Sequence, residues 1–362
     1  MTDWLNQKRE HEVVVQMVSP QNPDIVVGVL DGVDLGGSSL SAAYYTDTRT
    51  SGKLSVVGDG WVRGSNLRII VRFPSEGIER EVGTYIVSDD DATREHGKWA
   101  YDLELQSMLY GLSTNVGPRP WTVASGGSVR DACESILAAN RCPYVYEGND
   151  WTVESPVVYE SDTDALERLF SLCDMAGNRL DVNAHGEVTV QPYVEPSRRS
   201  ASFEIDLQSQ RGIAHGSLQR STDKLSMPNR VAVAYRYSEQ VDGESVEREI
   251  NAHADATGDT SFASRGYIIT DFRVLDELSP ATEARAQELA DQYLGDQKEH
   301  VEWQLECQYL PIWEGDVVTL VVSDGLDEYK GRRHCLVKNV ELELQYLTMR
   351  LTLKETSPGD SE

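Results

Sequence analysis

Long apolar runs are missing from this sequence. No stretch of the 362 residues approaches the roughly 18 consecutive apolar positions of a membrane-crossing helix, so no membrane insertion is expected. The opening "MTDWLNQKREHEVVVQM" lacks the apolar segment of a secretory leader. Cysteine is sparse: Cys133, Cys142, Cys173, Cys307 and Cys335 are odd in number, lie among apolar neighbours and never form a CxxC pair. That excludes a zinc-ribbon pattern and the disulfide frame of a small secreted domain, and it points to synthesis in a reducing cytoplasm. Positive charge is scarce as well, with 33 Lys plus Arg against 60 Asp plus Glu and a formal charge of −27. Such a field repels nucleic acid and anionic membranes, so no specific nucleic-acid binding is expected. An acidic wall can still stand beside DNA, because it will not hold it.

Catalytic motifs are missing too. There is no GxSxG and no HExxH, and His11, His96, His185, His215, His253, His300 and His334 have no partners at motif spacing. A scattered triad leaves no such trace, so the sequence assigns no catalytic residue rather than disproving one. Three stretches invite a chemical reading, and each has a plainer one. "HADATGD" sets His253 near Asp255 and Asp259, but full metal sites need three or four convergent ligands, and a polar loop suffices. "SDDDAT" (88–93) lacks the sixth-position Gly and twelfth-position Glu of a calcium loop and reads as an acidic turn between strands. "ASGGSVRD" (124–131) has no Lys-Ser/Thr of a phosphate loop and reads as a loop and helix cap. No catalytic, cofactor-binding or metal residue is assigned, and no cofactor is implied.

What is present is strand. "LRIIVRF" sets Leu67, Ile69, Val71 and Phe73 against Arg68 and Arg72, and "WAYDLELQS" sets Trp99, Tyr101, Leu103 and Leu105 against Asp102, Glu104 and Gln106. That two-residue period is the mark of a half-buried strand. Residues 1–117 therefore read as a first antiparallel β-barrel or sandwich. Beyond the Gly/Pro boundary "NVGPRPW", a helix is expected in "SVRDACESILAANRCP", with Ser128 and Asp131 as a capping pair. A second follows in "SDTDALERLFSLCDMAG", with Leu166, Leu169, Phe170 and Cys173 inward and Gly177 past its end. A hairpin then turns at Asn183–Gly186, and 118–200 reads as an α/β insertion.

Residues 201–240 read as a connector and the first strand, "RVAVAYRY", of a second barrel. Residues 241–299 read as a second insertion whose helix is capped by Ser279, carries Pro280 at its first position and stops at Gly295. The most regular alternation comes last. Val301, Trp303, Leu305, Cys307 and Tyr309 alternate with Glu302, Gln304, Glu306 and Gln308, and Leu347, Met349, Leu351 and Leu353 alternate with polar residues. "EGDVVTLVV" between them is apolar on both faces, as a strand covered on both sides is. Residues 300–356 complete the second barrel, and 357–362 form a polar tail. Most of the seven tryptophans, among them Trp61, Trp99, Trp151, Trp303 and Trp313, fall in strands or at strand ends. Core and subunit interface are the ordinary uses of such residues, and a glycan-stacking platform is the alternative.

Four stretches, in this order, resemble the hub proteins of phage tail tips and baseplates, including late-control-type proteins and the N-terminal hub part of tail-associated lysins. They are the acidic strand-rich opening, "GNRLDVNAHGEVTVQPYVEP", "DKLSMPNRVAVAYRY", and "ARAQELADQYL" leading into "PIWEGDVVTLVV" and "KNVELELQYLTMRLTLKE". The match is one of order and pattern along nearly the whole chain. It implies a mainly β fold with α+β insertions: two tail-tube-like antiparallel β-barrels plus two smaller inserted domains. It also implies a non-enzymatic structural hub in the virion tail tip, made and assembled in the host cytoplasm. Three copies would close a ring of six barrels that joins a hexameric tail tube to a trimeric tip and lets DNA pass. The implied partners are the homotrimer itself, the tail tube or a distal tail protein, the tape-measure protein, and a tip spike, fibre or lysin. The polar end "LKETSPGDSE" implies that wall cleavage or receptor binding belongs to another chain. The alternatives are a receptor- or carbohydrate-binding β-barrel module, with exposed aromatics in a concave patch, and a hydrolase, for which the sequence supplies no candidate residue.

Overall fold

The computed structural model describes residues 10–58, 60–95, 97–117, 119–153, 156–207, 218–222, 228–241, 244–258, 261–275, 282–296, 301–323 and 327–356. The chain divides into two compact units, Met1–Gln219 with Trp303–Glu362, and Arg220–Glu302. The first unit opens with β1 (Glu12–Ser19), β2 (Asn22–Val29), β3 (Val33–Ala43), β4 (Thr50–Val57), β5 (Asn66–Phe73), β6 (Ile78–Glu95) and β7 (Lys98–Gln106). β1 faces β5 with Val13, Val15 and Met17 opposite Val71, Ile69 and Leu67, so apolar side chains meet across the ladder. The alternation expected of "LRIIVRF" is broken. β5 is buried on both faces, and Arg68, placed on the polar face by its spacing, is only 4% exposed.

β6 is long because it serves two neighbours. Its first half pairs with β5 and its second, from Ile86 to Glu95, with β7, with a bulge between Val87 and Asp89. A strand that changes partner at a bulge is how a sheet rolls around a core. This corrects the reading of "SDDDAT" as a turn. Asp89, Asp90 and Asp91 stand in β6 opposite Glu104, Leu103 and Asp102, and the turn falls later, where Gly97 has a φ of +82°. Gly32 is required at its position, since a Cβ there would lie 2.1 Å from the Val57 carbonyl oxygen.

The short helix α1 (Tyr110–Ser113) leaves the first strands and its Leu112 packs into the core of the first insertion. That insertion comprises β8 (Trp121–Val123), α2 (Val129–Ala139), β9 (Tyr144–Tyr146), β10 (Val157–Tyr159), α3 (Ala165–Met175), β11 (Asn178–Val182) and β12 (Val188–Pro192). Both helices form in the segments where the sequence placed them. Ser128 Oγ accepts from Asp131 N at 3.1 Å, and the Asp164 carboxylate accepts from Glu167 N at 2.8 Å. Cys133 and Leu137 from α2, Leu169 and Cys173 from α3, and Leu180 and Val190 from the hairpin form one core. The hairpin turns at Asn183–Gly186 as expected, and β12 also pairs with β9, in parallel.

β13 (Phe203–Asp206) and β14 (Gln219–Thr222) follow, and the chain then enters the second unit. Here lies the main departure from the sequence reading. "RVAVAYRY" does not pair with the terminal strands. It belongs to β15 (Arg230–Val241), which pairs with β16 (Glu244–Asp255) antiparallel and β17 (Thr270–Leu275) parallel, in a separate three-stranded sheet. A short helix α4 (Phe262–Arg265) precedes β17, and α5 (Glu283–Asp296) packs on β15 and β16 through Ala286 and Ala290 against Val231 and Val233. The Pro-Asn step does feed β15, but Asn229 works inside this unit. Its amide donates to the Tyr267 carbonyl at 2.8 Å and accepts from Ile269 N at 2.7 Å. α5 runs through Gly295 to Asp296 rather than stopping at it, and Arg285 N is capped by Thr282 Oγ1 at 3.3 Å. Ser279, Pro280 and the polar tail lie outside the described residues.

The chain returns to the first unit with β18 (Val301–Gln308), β19 (Val317–Val322), β20 (Gly331–Glu343) and β21 (Thr348–Glu355). β18 buries Val301, Trp303, Leu305 and Cys307, as its alternation requires. The principal sheet runs β18-β21-β20-β3-β4-β7-β6-β5-β1-β2, with β19 on β20 and β13 parallel to β19. β20 is the hinge of this order. One of its edges takes β19 along Gly331–Leu336 and then β3 along Asn339–Glu343, with a bulge between Val337 and Asn339 in its β21 register. The fold is mainly β with smaller α+β parts, and the terminal strands join the first ones edge to edge. No helix among the described residues is long and apolar enough to cross a membrane.

Candidate functional site

The motifs weighed in the sequence do not converge. Asp255 is held by Arg230, with Nε to Oδ1 at 2.6 Å and the second nitrogen to Oδ2 at 2.9 Å, and this pairing depresses its pKa. Asp259 lies outside the described residues, and no group of three potential metal ligands exists among the described ones. Asp90 is tied to Arg63 at 2.6 Å. The tryptophans divide. Trp303 is fully buried and donates to Glu355 Oε1 at 2.7 Å, whereas Trp99 and Trp151 are exposed. Trp61, Tyr101 and Trp99 form a row, with ring centroids 5.8 Å and 6.4 Å apart and Arg63 and Arg94 over its two ends.

Two features were not read from the sequence. The first is β2, "NPDIVVGV", which ends the principal sheet and, among the described residues, pairs on one side only, with β1. Ile25, Val26, Val27 and Val29 are each about half exposed, at 46–54%. Consecutive positions point to opposite faces, so this strand is apolar on both faces and open along an edge. Soluble proteins blunt or cover such edges. The alternation rule could not show this, because a continuous apolar run reads as a buried strand.

The second is a pair of polar junctions that lock the first insertion and the terminal strands onto the first ones. At one, the hairpin tip 183–186 meets β5 and β6. Arg68 donates to the carbonyls of Pro23 at 2.8 Å and His185 at 3.2 Å and to Thr84 Oγ1 at 3.3 Å, and lies 3.4 Å from Glu81. The His185 ring sits between Glu81, 3.1 Å from Nδ1, and Asp24, 2.9 Å from Nε2. Gly186, with φ +93°, comes so close to Thr84 that a Cβ would stand 2.8 Å from the Thr84 Cβ.

At the other junction, Glu314 and Asp316 before β19 face Arg179 and Asp181 of β11, Arg49 of the β3–β4 turn, and Arg199. Arg179 pairs with Asp181 and lies 4.3 Å from the Tyr44 ring centroid. Arg199 donates to the Gly315 carbonyl at 2.8 Å. Burial, reinforced by Asp181, pushes the Glu314 carboxyl up to about 8, and its Oε2 has no hydrogen-bond partner among the described residues. Burial also lowers the Arg49 pKa.

No protein-family model matches the chain, and no curated protein matches it. Solved structures do. A tail protein from Neisseria meningitidis MC58 superposes with a TM-score of 0.63 at 12% identity, covering 95% of this chain and 96% of that one. The 43 kDa tail protein of prophage MuSo2 from Shewanella oneidensis gives 0.64 at 9% identity, covering 97% and 100%. An E. coli component of the type VI secretion system, described as similar to bacteriophage T4 tail proteins, gives 0.51 at 11% identity, covering 88% and 73%. Over almost its entire length, this chain has the fold of phage tail proteins and their secretion-system counterparts.

Proposed function

We propose that this chain is a structural hub of a phage tail tip or a related injection machine, a homotrimeric ring that joins a hexameric tail tube to a trimeric tip and lets DNA pass. The observation that carries the reading is the end-to-end coincidence of its fold with tail proteins. The open apolar edge of β2 supports it, since a ring closes through repeated heterologous contacts and an edge strand is a ready partner for a neighbouring sheet. The charge of −27 agrees with a lumen from which DNA slides freely. Tail tube or distal tail protein, tape-measure protein and a tip spike, fibre or lysin are the partners this role requires.

The test is mass and symmetry. Light scattering and negative-stain averages of the purified chain are expected to give three copies and a threefold ring with a central opening. Replacing Ile25 and Val27 together by Lys is expected to return the ring to monomers without lowering the melting temperature of the isolated subunit. A map with a basic channel would remove the acidic-lumen part. The Trp61–Tyr101–Trp99 row favours a second reading, a carbohydrate- or receptor-binding module. Monomers at every concentration, with tryptophan fluorescence quenched by a glycan, would favour it.

A further inference from the structure

Glu314 is a buried acid that the hub reading does not use. It stands in the loop 310–316, between β18 and β19, and is only 8% exposed. One carboxylate oxygen accepts from its own backbone N–H, and Oε2, enclosed by protein, has no hydrogen-bond partner among the described residues. Asp181 and Arg179 of β11, Arg49 of the β3–β4 turn and Tyr85 of β6 face it. Tyr309 and Asp316 flank it on its own segment, and Arg80 and Glu81 of β6 line the cavity beside it. Arg179 and Arg49 favour a charged carboxylate, but burial and Asp181 outweigh them, so the group gives up its proton only near pH 8. An ionised carboxylate with an enclosed, unmatched oxygen is unfavourable where it stands and favourable in water.

The loop is placed to relieve that cost by moving. Gly315 N donates to the Val337 carbonyl at 2.9 Å and Val337 N to the Asp316 carbonyl at 2.8 Å, which seats the loop on β20. Arg199 donates to the Gly315 carbonyl at 2.8 Å. Arg179 of the insertion hairpin lies over Gly315, so near that a Cβ there would stand 2.6 Å from Nη2. Two further bonds, Trp313 N to Asp316 Oδ2 at 2.8 Å and Asp316 N to the Trp313 carbonyl at 3.2 Å, fold the loop on itself and would survive its release. A cavity of about 340 Å³ opens among the loop, β6 and the hairpin tip, with Tyr85, Ala184, Tyr309 and Ile312 among its walls. A segment outside the ladders, tied by few bonds and bordered by a void, is of the kind that opens without the rest.

We propose that the loop 310–316 is a proton-operated latch between the terminal strands and the hairpin of the first insertion, seated while Glu314 holds its proton and released when it loses it. The proton goes to solvent, and the freed carboxylate gains water. Because the released form ionises at the ordinary 4.5 and the seated form near 8, release rises with pH between those values and levels off above them. The latch lies within one subunit and operates with or without a ring.

Amide hydrogen exchange on the full-length protein tests it, with Glu314→Gln as the reference at each pH. The comparison cancels the intrinsic chemistry of exchange and the titration of every other group. The amides of Gly315 and Val337, which cross the latch, are expected to be less protected than those of the β20–β21 ladder. Their wild-type rate relative to Glu314→Gln is expected to rise about fiftyfold from pH 6 to pH 8 and only about twofold from there to pH 9.5. The Glu314 carboxyl carbon signal, identified by its absence from the variant, is expected to titrate near 8. If Glu314→Gln does not fold, wild-type rates divided by the intrinsic ones decide. Protection of Gly315 and Val337 equal to that of the ladder at every pH overturns the latch, since the loop then opens only with the whole unit. A flat relative rate, or a carboxyl that titrates at the ordinary 4.5, overturns Glu314 as its trigger.

Discussion

Arg68 and Arg49 belong to the same unit, and both are withdrawn from solvent, yet their surroundings are opposite. Arg68 is almost fully buried and saturated, with two carbonyls, a hydroxyl and a carboxylate around one guanidinium. Arg49 is half-buried between rings and has an enclosed nitrogen with no acceptor. A buried charge whose donors are all matched is a structural lock, and its worth is seen when one partner goes. A donor left unmatched inside the protein is a cost that the rest of the fold carries. The burial of the charge itself does not distinguish the two; the inventory of acceptors does.

Breaking the saturated member should have the largest effect. Arg68→Met would take the donor from two carbonyls and the Thr84 hydroxyl and the nearby cation from Glu81 where the hairpin tip meets β5 and β6, and a loss of about 3 kcal/mol is expected. Urea denaturation followed by tryptophan fluorescence measures it, and a loss below about 1 kcal/mol would show that the junction is not a lock. Amide exchange should rise first at Asn183–Gly186.

The acidic member of the second junction gives a pH-dependent comparison. The carboxyl of Glu314 titrates near 8 in the folded chain against an ordinary 4.5. Below pH 4.5 both states are protonated and the side chain costs nothing. From there to about 8 the unfolded chain ionises first, so the folded state loses stability as pH rises, and above 8 the loss is complete. Glu314→Gln should therefore match the wild type at pH 4 and exceed it at pH 8, by an amount of order 2–4 kcal/mol. Denaturation midpoints across that range check it, and parallel curves would refute it.

The smallest effect sharpens the contrast. Among the described residues Arg49→Gln removes no side-chain hydrogen bond or ion pair and only the contacts with the Tyr44 and Phe170 rings, so its stability should stay within about 1 kcal/mol of the wild type. A loss comparable with that of Arg68→Met would mean that Arg49 is a second lock.

These junctions also show how far the sequence could be read. The capping residue Ser128 and the alternation of β18 were legible because each is a local rule satisfied within a few residues. β16 was not legible. "ESVEREINAHAD" carries too few apolar residues to show a period, and it is made a strand by its twelve-residue ladder with β15. Arg68 was assigned to a solvated face because alternation says nothing about what covers that face, and here a hairpin more than a hundred residues away does. The candidate sites were less legible than the fold. Arg49 sits in "YYTDTRT", an ordinary turn sequence, and only the approach of α3 and β11 makes it remarkable by enclosing it.

The sequence by itself determined the mainly β character, the two helices of the first insertion and the Ser128 cap of the first of them, and the acidic balance. Each of these depends on composition or on neighbours within a turn or two of chain. Only the tertiary structure decided that β15 leaves the principal sheet for its own, that β2 ends that sheet with apolar faces open, and that one arginine is saturated while another is not. Those outcomes depend on which distant backbone edge or carbonyl arrives. A one-dimensional pattern records that a side chain is charged or apolar, but not what will be placed against it.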